Sequence, residues 1–437
     1  MACGDAPRRR ARGAGLLLLA LAACHAVTEP VVAPSWPPAA ASAPLTRADC
    51  VRLACGWAPA RDSWRARYLA AAAQVRAAGL LPNPQLLLEW EDFSLGSVVP
   101  ASLLQQTFSL SWAIGDVLLR STRESIATHE LEATLAELQT ERRKLALEVC
   151  RAYDELVAAR RAAEIAAAAA TAAARHRDGL QRLAGDGEAP PFDAAVAGAE
   201  AAEAAAAAAA AQREASAQEL AFAFALGFER PVPLQLADGL FDPAVAADLE
   251  SLLAQAAAAR PELGAARAHY AAQLDRLHLA ASPLRYVPVV GAGYRRIDGE
   301  SLGVASLDVA LPLFDAGGAD VAAADAALLD AAARARVAAQ SVASDVATAA
   351  ARLVAARSRR DEARDLAARR TALCAAALRW FEAGELGFAD LRTAEAAALT
   401  AQRDLLDAGL ALSLAGWPLC IDDVLVPLAP LEAANGP

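Results

Sequence analysis

The sequence shows the same succession of patterns twice, about 200 residues apart. Residues 80–86, LLPNPQL, open a pair of segments that alternate apolar and polar side chains, and a long alanine-rich stretch follows. Residues 282–288, SPLRYVP, open a second such pair before a second such stretch. A unit of two strands and long helices is too long for a solenoid repeat. The chain is therefore predicted to be an internal duplication that is mainly α with a small β part.

Alanine supplies much of the apolar content, which amounts to 56% of the 437 residues. Because alanine is the best helix former and buries little area, this composition favours long, closely packed helices over a bulky core. The 41 basic and 52 acidic side chains give a net charge of −11. Such a balance provides no general electrostatic attraction to nucleic acid, and we expect no nucleic-acid partner.

The N-terminus is typical of an exported and lipid-anchored protein. Residues 1–23 combine four arginines with an apolar run that is too short to span a bilayer, so they are predicted to be a signal peptide. Residues 21–24, LAAC, resemble the lipobox of bacterial lipoproteins, which predicts acylation of Cys24. Cleavage nearby with an unmodified cysteine is the alternative. Residues 24–45 are rich in Pro, Ala and Ser and are predicted to be the anchor and a tether.

The sequence predicts no catalytic or metal site. It has no Cys-x-x-Cys or His-Glu-x-x-His motif, and its five histidines are scattered. Export makes a disulfide between Cys50 and Cys55 chemically reasonable. Cys150, Cys374 and Cys420 are expected to be small buried residues. We expect no cofactor and no enzymatic activity; the remaining alternative is an enzyme whose scattered residues converge in the fold.

Two strand pairs are predicted, at about residues 84–114 and about residues 286–313. In the last segment of each pair, apolar side chains occupy every second position: Phe108, Leu110, Trp112 and Ile114, then Leu307, Val309, Leu311 and Leu313. Segments of about ten residues with one apolar face are long enough to cross a bilayer at a tilt. A soluble hairpin with one buried face gives the same alternation, and the strands alone do not decide between the two.

Long helices follow each strand pair, at about residues 116–226 and about residues 317–415. Apolar side chains in the first recur in steps of four and three, which is typical of a coiled coil. A helix over residues 116–183 would be about 100 Å long. Glycine-containing turns near Gly185 and Gly384 interrupt the two stretches far from the strands.

These patterns divide the chain into a first repeat, residues 46–245, a second repeat, residues 246–418, and a tail, residues 419–437. Within the second repeat, helices are predicted over residues 248–281, 317–382 and 386–415. The long helices also fit an ordinary structural coiled coil. Their spacing does not indicate what such a coil would enclose.

With these patterns, the chain resembles the TolC-type outer-membrane efflux family from about Thr46 to Trp417. The resemblance depends on the duplication, on residues 77–86 (AAGLLPNPQL), on residues 310–318 (ALPLFDAGG), and on residues 383–385 (AGE) with Asp390. The Leu-Pro-Asn-Pro form is most similar to the heavy-metal and multidrug branch that works with resistance-nodulation-division pumps.

The resemblance implies a homotrimer in which each protomer supplies four strands to a twelve-stranded transmembrane barrel and its helices to a periplasmic α-barrel. Four strands cannot close a barrel alone, whereas three copies can. The implied function is a passive duct in the outer membrane, with a periplasmic adaptor and an inner-membrane transporter as partners. A lipid-anchored periplasmic coiled-coil scaffold without a barrel is the alternative, although its apolar strand faces would then need another cover.

The resemblance also implies an aperture at the periplasmic end. Asp390 falls where the family carries an acidic residue, and three copies would form a carboxylate ring. A solvated carboxylate at a helix start is an equally weighted interpretation. Asp193 is its first-half counterpart. The chain departs from the family at Thr393, where some members have a second acid, and at Phe381, where they have tyrosine. An apolar closure is therefore expected.

Two further implications concern the ends of the helices. The adaptor is expected to contact the turns around Gly185 and Gly384. At residues 114–117, IGDV, the chain lacks the Gly-Gly turn that the family uses between strand and helix, so this junction is expected to differ.

Overall fold

The computed structural model describes residues 44–421 except 58–59, 92–104, 229–231, 233, 245–247, 287, 298–299 and 310. The predicted signal peptide, Cys24, nearly all of the tether and the tail beyond residue 421 therefore lie outside the described residues.

Helices dominate the described residues, and a four-stranded sheet interrupts them, as the sequence predicts. The elements in chain order are α1 (Arg47–Trp57), α2 (Ala60–Ala78), β1 (Gln85–Glu91), β2 (Gln105–Ala113), α3 (Ile114–Leu118), α4 (Arg120–Gly185), α5 (Pro191–Ala225), α6 (Leu249–Ala259), α7 (Pro261–Ala281), β3 (Val289–Ile297), β4 (Glu300–Asp308), α8 (Gly318–Glu382) and α9 (Phe388–Cys420). The mainly α class with a small β part is thus confirmed.

The long helices form two antiparallel hairpins. Helix α4 has 66 residues and packs along α5, which we call the first hairpin. Helix α8 has 65 residues and packs along α9, which we call the second hairpin. At a rise of 1.5 Å per residue, α4 and α8 are each about 100 Å long. Contacts of α4 with α7 and α9 join the two hairpins side by side.

Among the described helices, α5 is also long and apolar enough to cross a membrane by composition alone. Its apolar character comes mainly from alanine. It packs through buried side chains that include Ala197, Ala201, Ala215 and Phe222. Because α5 lies along α4 over much of its length, we assign it to the helical hairpin.

The sheet is an antiparallel meander in the order β1-β2-β3-β4. Its register places Leu88, Phe108 and Tyr294 side by side on one face. The aromatic rings on this face contact one another. Phe108 stacks on Tyr294 with their ring centres 5.9 Å apart, and Trp90 contacts Phe108 edge-on at 6.5 Å. The pairing of β2 with β3 joins the strand pair of the first half to that of the second half.

Glycines in β3 permit this central pairing. A Cβ atom at Gly293 would lie 2.2 Å from the carbonyl oxygen of Phe108 and 2.7 Å from the Cα of Ser109. A side chain there would require the backbone of β2 to move. The glycine content that makes β3 a weak strand by sequence is therefore what lets it lie against β2.

The last strand lies earlier in the chain than predicted. Strand β4 ends at Asp308, so Leu311 and Leu313 lie beyond it. Residue Ile297 pairs with Glu300, and this close connection sets Val289 opposite Asp308. The end of β4 is thus fixed by the start of β3, and Pro312, which lacks an N–H, could not extend the ladder.

Two helix predictions also need correction. Residues 248–281 form α6 and α7 rather than one helix, since Arg260 is extended and Pro261 begins a new helix. Proline is tolerated in the first turn of a helix but not in its interior. Residues 116–183 do not form one helix either: α3 ends at Leu118, and α4 begins at Arg120. This break lies at the junction that departs from the family pattern.

A cluster of buried side chains joins both halves of the chain, and we call its polar centre the buried node. The carboxylate of Asp154 in α4 is fully buried and accepts a hydrogen bond from Nε of Arg47 at 2.9 Å. It also accepts hydrogen bonds from the hydroxyl of Ser413 and, at 2.7 Å, from Nε1 of Trp417 in α9. The guanidinium of Arg47 lies 4.6 Å from the centre of the Tyr153 ring. Helices α1, α4 and α9 are thereby joined through one carboxylate.

The cysteines near this node carry free thiols. Cys50 and Cys55 both lie in α1, five residues apart, so their side chains point to different sides of the helix and cannot form the disulfide considered from the sequence. Burial raises the pKa of the thiols of Cys50 and Cys150 to about 12. They therefore remain protonated at neutral pH and behave as small packing residues.

Candidate functional site

The turns that connect the helices of the two hairpins have the same backbone structure. In the first, the N–H of Glu188 donates to the carbonyl of Leu183 at 2.8 Å; in the second, the N–H of Glu385 donates to the carbonyl of Trp380 at 2.8 Å. Three further hydrogen bonds of the first turn, donated by the N–H groups of Asp186, Gly187 and Asp193, have counterparts in the second turn at the same offset of 197 positions. We call the end of the molecule that carries both turns the tip.

The glycine that each turn requires is Gly187 in the first hairpin and Gly384 in the second. Each has φ of +76°, in the left-handed region that glycine adopts without a steric penalty. Gly185, which the sequence pattern singled out, is instead the last residue of α4. The structural counterpart of Gly384 is therefore Gly187. Asp193 and Asp390 each lie six residues after these glycines, so the two acids are structural counterparts.

The predicted aperture residues do not converge on one another within the protomer. Asp390 is exposed, and the described residues place no ion pair on its carboxylate. Thr393 is also exposed and donates its hydroxyl to the carbonyl of Ala389 in its own helix. Phe381 is half-buried and lies 6.2 Å from the ring of Phe388. This contact is apolar, and the apolar closure of an aperture stays a prediction.

A different face of α9 makes the contact with the first hairpin. Phe388, Arg392 and Glu395 are spaced by four and three residues, so they lie on one face of the helix, whereas Asp390 lies on the opposite face. Phe388 contacts the imidazole of His176 edge-on at 6.1 Å. Arg392 forms an ion pair with Glu200 in α5. The tip is thus held together by contacts that the sequence analysis did not identify.

The third of these contacts joins Glu395 to His176 in α4. Oε2 of Glu395 lies 3.4 Å from Nδ1 of His176, and their side chains are 30% and 20% exposed. Burial raises the pKa of the Glu395 carboxyl above its ordinary value, and the charge of His176 opposes this rise. The pair is therefore partly desolvated.

An open cleft of about 600 Å³ lies beside this pair, between α4, α8 and α9. Its apolar lining includes Leu180, Leu378 and the rings of Phe381 and Phe388. Arg175, Arg182 and Glu382 add charge to the lining. No group of three or more His, Cys, Asp or Glu side chains suited to a metal ion occurs in the described part of the chain.

The sequence carried only part of the signal for this contact face. The spacing of Phe388, Arg392 and Glu395 is visible in the sequence, but the same spacing occurs on any solvated helix face. Their partners His176 and Glu200 lie about 200 residues earlier and in two different helices. Only the packing of α9 against the first hairpin brings them together.

Solved structures of outer-membrane proteins have the same fold. The outer membrane protein VceC of Vibrio cholerae superposes with a TM-score of 0.67 at 20% identity, covering 85% of this chain and 94% of that one. A membrane protein of Pseudomonas aeruginosa gives 0.70 at 17% identity, with 89% and 99% covered. The open state of the outer membrane channel MtrE of Neisseria gonorrhoeae gives 0.69 at 18% identity, with 86% and 88% covered.

These similarities concern the fold. No protein-family model matches the sequence, and a search among curated proteins finds no match. The chain therefore has the fold of TolC-type outer-membrane channels, which is the fold that the sequence resemblance predicted.

Proposed function

We propose that three copies of this chain form a passive channel in the outer membrane, which serves as the exit duct of a tripartite efflux pump. In this proposal the repeats 46–245 and 246–418 arose by internal duplication, and the turns that correspond at an offset of 197 positions support it. A periplasmic adaptor and an inner-membrane transporter of the resistance-nodulation-division type would complete the assembly. The channel has no chemistry of its own and needs no cofactor.

The exposed apolar face of the four-stranded sheet carries this proposal. Leu86, Trp90, Leu110 and Leu307 are each about half exposed or more, at 65%, 52%, 52% and 66%. They lie on one face, whereas Ser109 and Ser111 lie on the other. A soluble protein rarely leaves such a face uncovered. Lipid on the apolar face and water on the polar face would satisfy both.

The open edges of the sheet support a trimer. Within the described residues β1 and β4 each pair on one side only, which leaves a row of backbone groups without hydrogen-bond partners. Unpaired backbone groups are too costly in a bilayer, so membrane strands occur in closed barrels. Pairing β1 of one copy with β4 of the next, three times over, would close twelve strands and remove every edge.

The tip supports contact with an adaptor. Leu183 and Trp380 occupy equivalent positions in the two turns and are 40% and 49% exposed, and Phe192 at the start of α5 is 75% exposed. Apolar side chains exposed together at the end of a long helical structure are typical of an interaction surface. We propose that the adaptor contacts both turns, at Gly185 and Gly187 and at Gly384.

The location follows from the same proposal. The protein would be held in the outer membrane by the barrel and by a lipid on Cys24, with the helices in the periplasm. Native mass and membrane fractionation of the full-length protein test this directly. A trimer that resists salt and carbonate washing is expected. A washable monomer or dimer that is released when Cys24 is replaced would instead establish the lipid-anchored scaffold.

The aperture is tested by reversing the charge of Asp390. In the trimer its exposed carboxylate would line the narrowest point, with Phe381, Thr393 and Asp193 nearby. We expect Asp390→Arg to shift the selectivity of single channels in lipid bilayers from cations towards anions without changing trimer mass. Glu385→Arg is the matched control, because it makes the same change at an exposed residue of the same turn. Equal selectivity of the Asp390→Arg and unmodified channels would contradict the assignment.

A further inference from the structure

Two polar contacts at the tip, both between α9 and the first hairpin, respond differently to protons. Arg392 and Glu200 form an ion pair of a guanidinium with a carboxylate. Groups of these types ordinarily titrate outside the range from pH 5 to pH 8. Glu395 meets His176 instead. Histidine is the side chain whose ordinary titration falls inside that range.

We propose that the contact between Glu395 and His176 is a proton-sensitive latch, which holds α9 against α4 more tightly in weakly acidic than in weakly alkaline solution. When the imidazole carries a proton, the partly desolvated carboxylate faces a cation at 3.4 Å. When the imidazole is neutral, the same carboxylate is held away from water without a compensating charge. The second state costs more, so the helices separate more readily.

The carboxyl group acts in the same direction as the imidazole. Burial raises the pKa of Glu395 above its ordinary value of 4.5 in the packed state. A group whose pKa is raised by packing stabilises that packing fully below its ordinary pKa, and the contribution is lost as the pH rises through the raised value. Loss of the proton from the pair therefore weakens the packing in alkaline solution.

The other charged groups around the pair do not reverse this dependence. Helix α4 presents Arg175 and Arg182, α8 presents Glu382, and α9 itself carries Arg392, which is paired with Glu200 of α5. Carboxylates and guanidinium groups ordinarily keep their charge from pH 5 to pH 8.

A thiol completes these surroundings. Burial, with a smaller contribution from Glu395, raises the pKa of the Cys374 thiol in α8, so this group stays neutral at these pH values. The pH dependence is thus assigned to Glu395 and His176.

Amide hydrogen exchange of the full-length protein in mild detergent tests the latch. The measured quantity is the protection of the backbone amides of residues 391–398 at pH 6 and pH 8, after division by the intrinsic exchange rates. We expect protection to be about two- to five-fold higher at pH 6, the range for a partly exposed ion pair. Amides in α7, which lies outside this contact, serve as the internal reference.

Two variants each remove one partner of the pair. Glu395→Gln removes the carboxylate that faces the protonated imidazole, so the rise in protection at pH 6 is expected to disappear. His176→Gln removes the proton acceptor, so the low protection of pH 8 is expected at both. Glu200→Gln is the matched control: it breaks the ion pair with Arg392 and should lower protection equally at both pH values.

The latch is overturned if the unmodified protein shows equal protection at pH 6 and pH 8, or if Glu395→Gln keeps the dependence of the unmodified protein. A general loss of protection in α7 would identify a folding defect of a variant, and the pH ratio of the unmodified protein then decides. The measurement follows helix packing and not conductance. Failure of the latch therefore leaves the proposed channel intact, and the latch can exist in a protein that is no channel.

Discussion

Among the described contacts of α4 with α9, those at the buried node and those at the tip are built in different ways. At the buried node, Asp154 is inaccessible to solvent and binds Arg47, Ser413 and Trp417. At the tip, Glu395 meets His176 through partly exposed side chains. Asp154 and His176 are 22 residues apart in α4, which corresponds to about 33 Å along the helix.

The difference indicates where the hairpins are fixed and where they can separate. Parting α4 from α9 at the node would take two donors, the hydroxyl of Ser413 and the indole N–H of Trp417, away from the buried carboxylate of Asp154, which is unfavourable because no solvent reaches it. Parting them at the tip would expose two groups that water already reaches, and exposed ion pairs are worth less than about 1 kcal/mol. In the proposed channel, this arrangement would keep the helices fixed at the node while the tip separates.

The largest predicted effect is the loss of Asp154. We expect Asp154→Ala to lower the free energy of unfolding by about 3–5 kcal/mol, because Arg47, Ser413 and Trp417 lose their common acceptor in a buried site. Denaturant unfolding of the purified protein in mild detergent, followed by circular dichroism, measures the change.

A second acidic residue near Arg47 provides the control for this change. Asp238 also accepts a hydrogen bond from Arg47, through the backbone N–H at 3.0 Å, but its side chain is 36% exposed. We expect Asp238→Ala to cost about 1 kcal/mol, since water replaces the carboxylate. Similar costs for the two variants would mean that the node is no more fixed than the surface around it.

The next effect isolates one hydrogen bond of the node. Trp417→Phe keeps a ring to stack on Phe241, which lies 4.0 Å away, but removes the indole N–H that binds Asp154 at 2.7 Å. We expect a loss of about 2 kcal/mol in the same unfolding measurement, the range for a hydrogen bond to a charged group.

Trp64→Phe is the matched substitution outside the node. The indole of Trp64 donates to Glu141 at 2.8 Å, and that carboxylate is 42% exposed. Since water can replace the lost donor, the expected cost is below about 1 kcal/mol. If Trp64→Phe costs as much as Trp417→Phe, burial of the acceptor is not what distinguishes the two regions.

The sequence predicted the regular parts of this fold because they depend on local patterns. The heptad spacing in α4 and the alternation around Phe108 report which side of an element is apolar, and the proline and glycine positions mark where elements end. Predictions failed where a partner sets the boundary. Strand β4 ends at Asp308 because β3 begins at Val289, and no pattern within residues 300–313 contains that information.

The candidate site was predicted less completely for the same reason. The position of Asp390 after Gly384 is a local feature, and the structure places it at a helix start. The contacts of Arg392 and Glu395 depend on the packing of α9 against two helices from the other half of the chain. The buried node shows this more strongly, since Arg47, Asp154 and Trp417 are distant in sequence and none of them belongs to a recognisable motif.

The smallest predicted effect concerns Arg392, at the tip, and it contrasts with the large effect expected at the buried node. We expect Arg392→Gln to change the free energy of unfolding by less than about 1 kcal/mol, because the guanidinium is 48% exposed and gains water when it loses Glu200. The same variant should increase amide exchange in the first turns of α9, since one of the two polar contacts that hold this end is gone. A small global effect with a clear local effect is what a separable tip requires. A global loss comparable to that of Asp154→Ala would mean that the tip is as firmly fixed as the node, and an opening that begins at the tip would then have no structural basis.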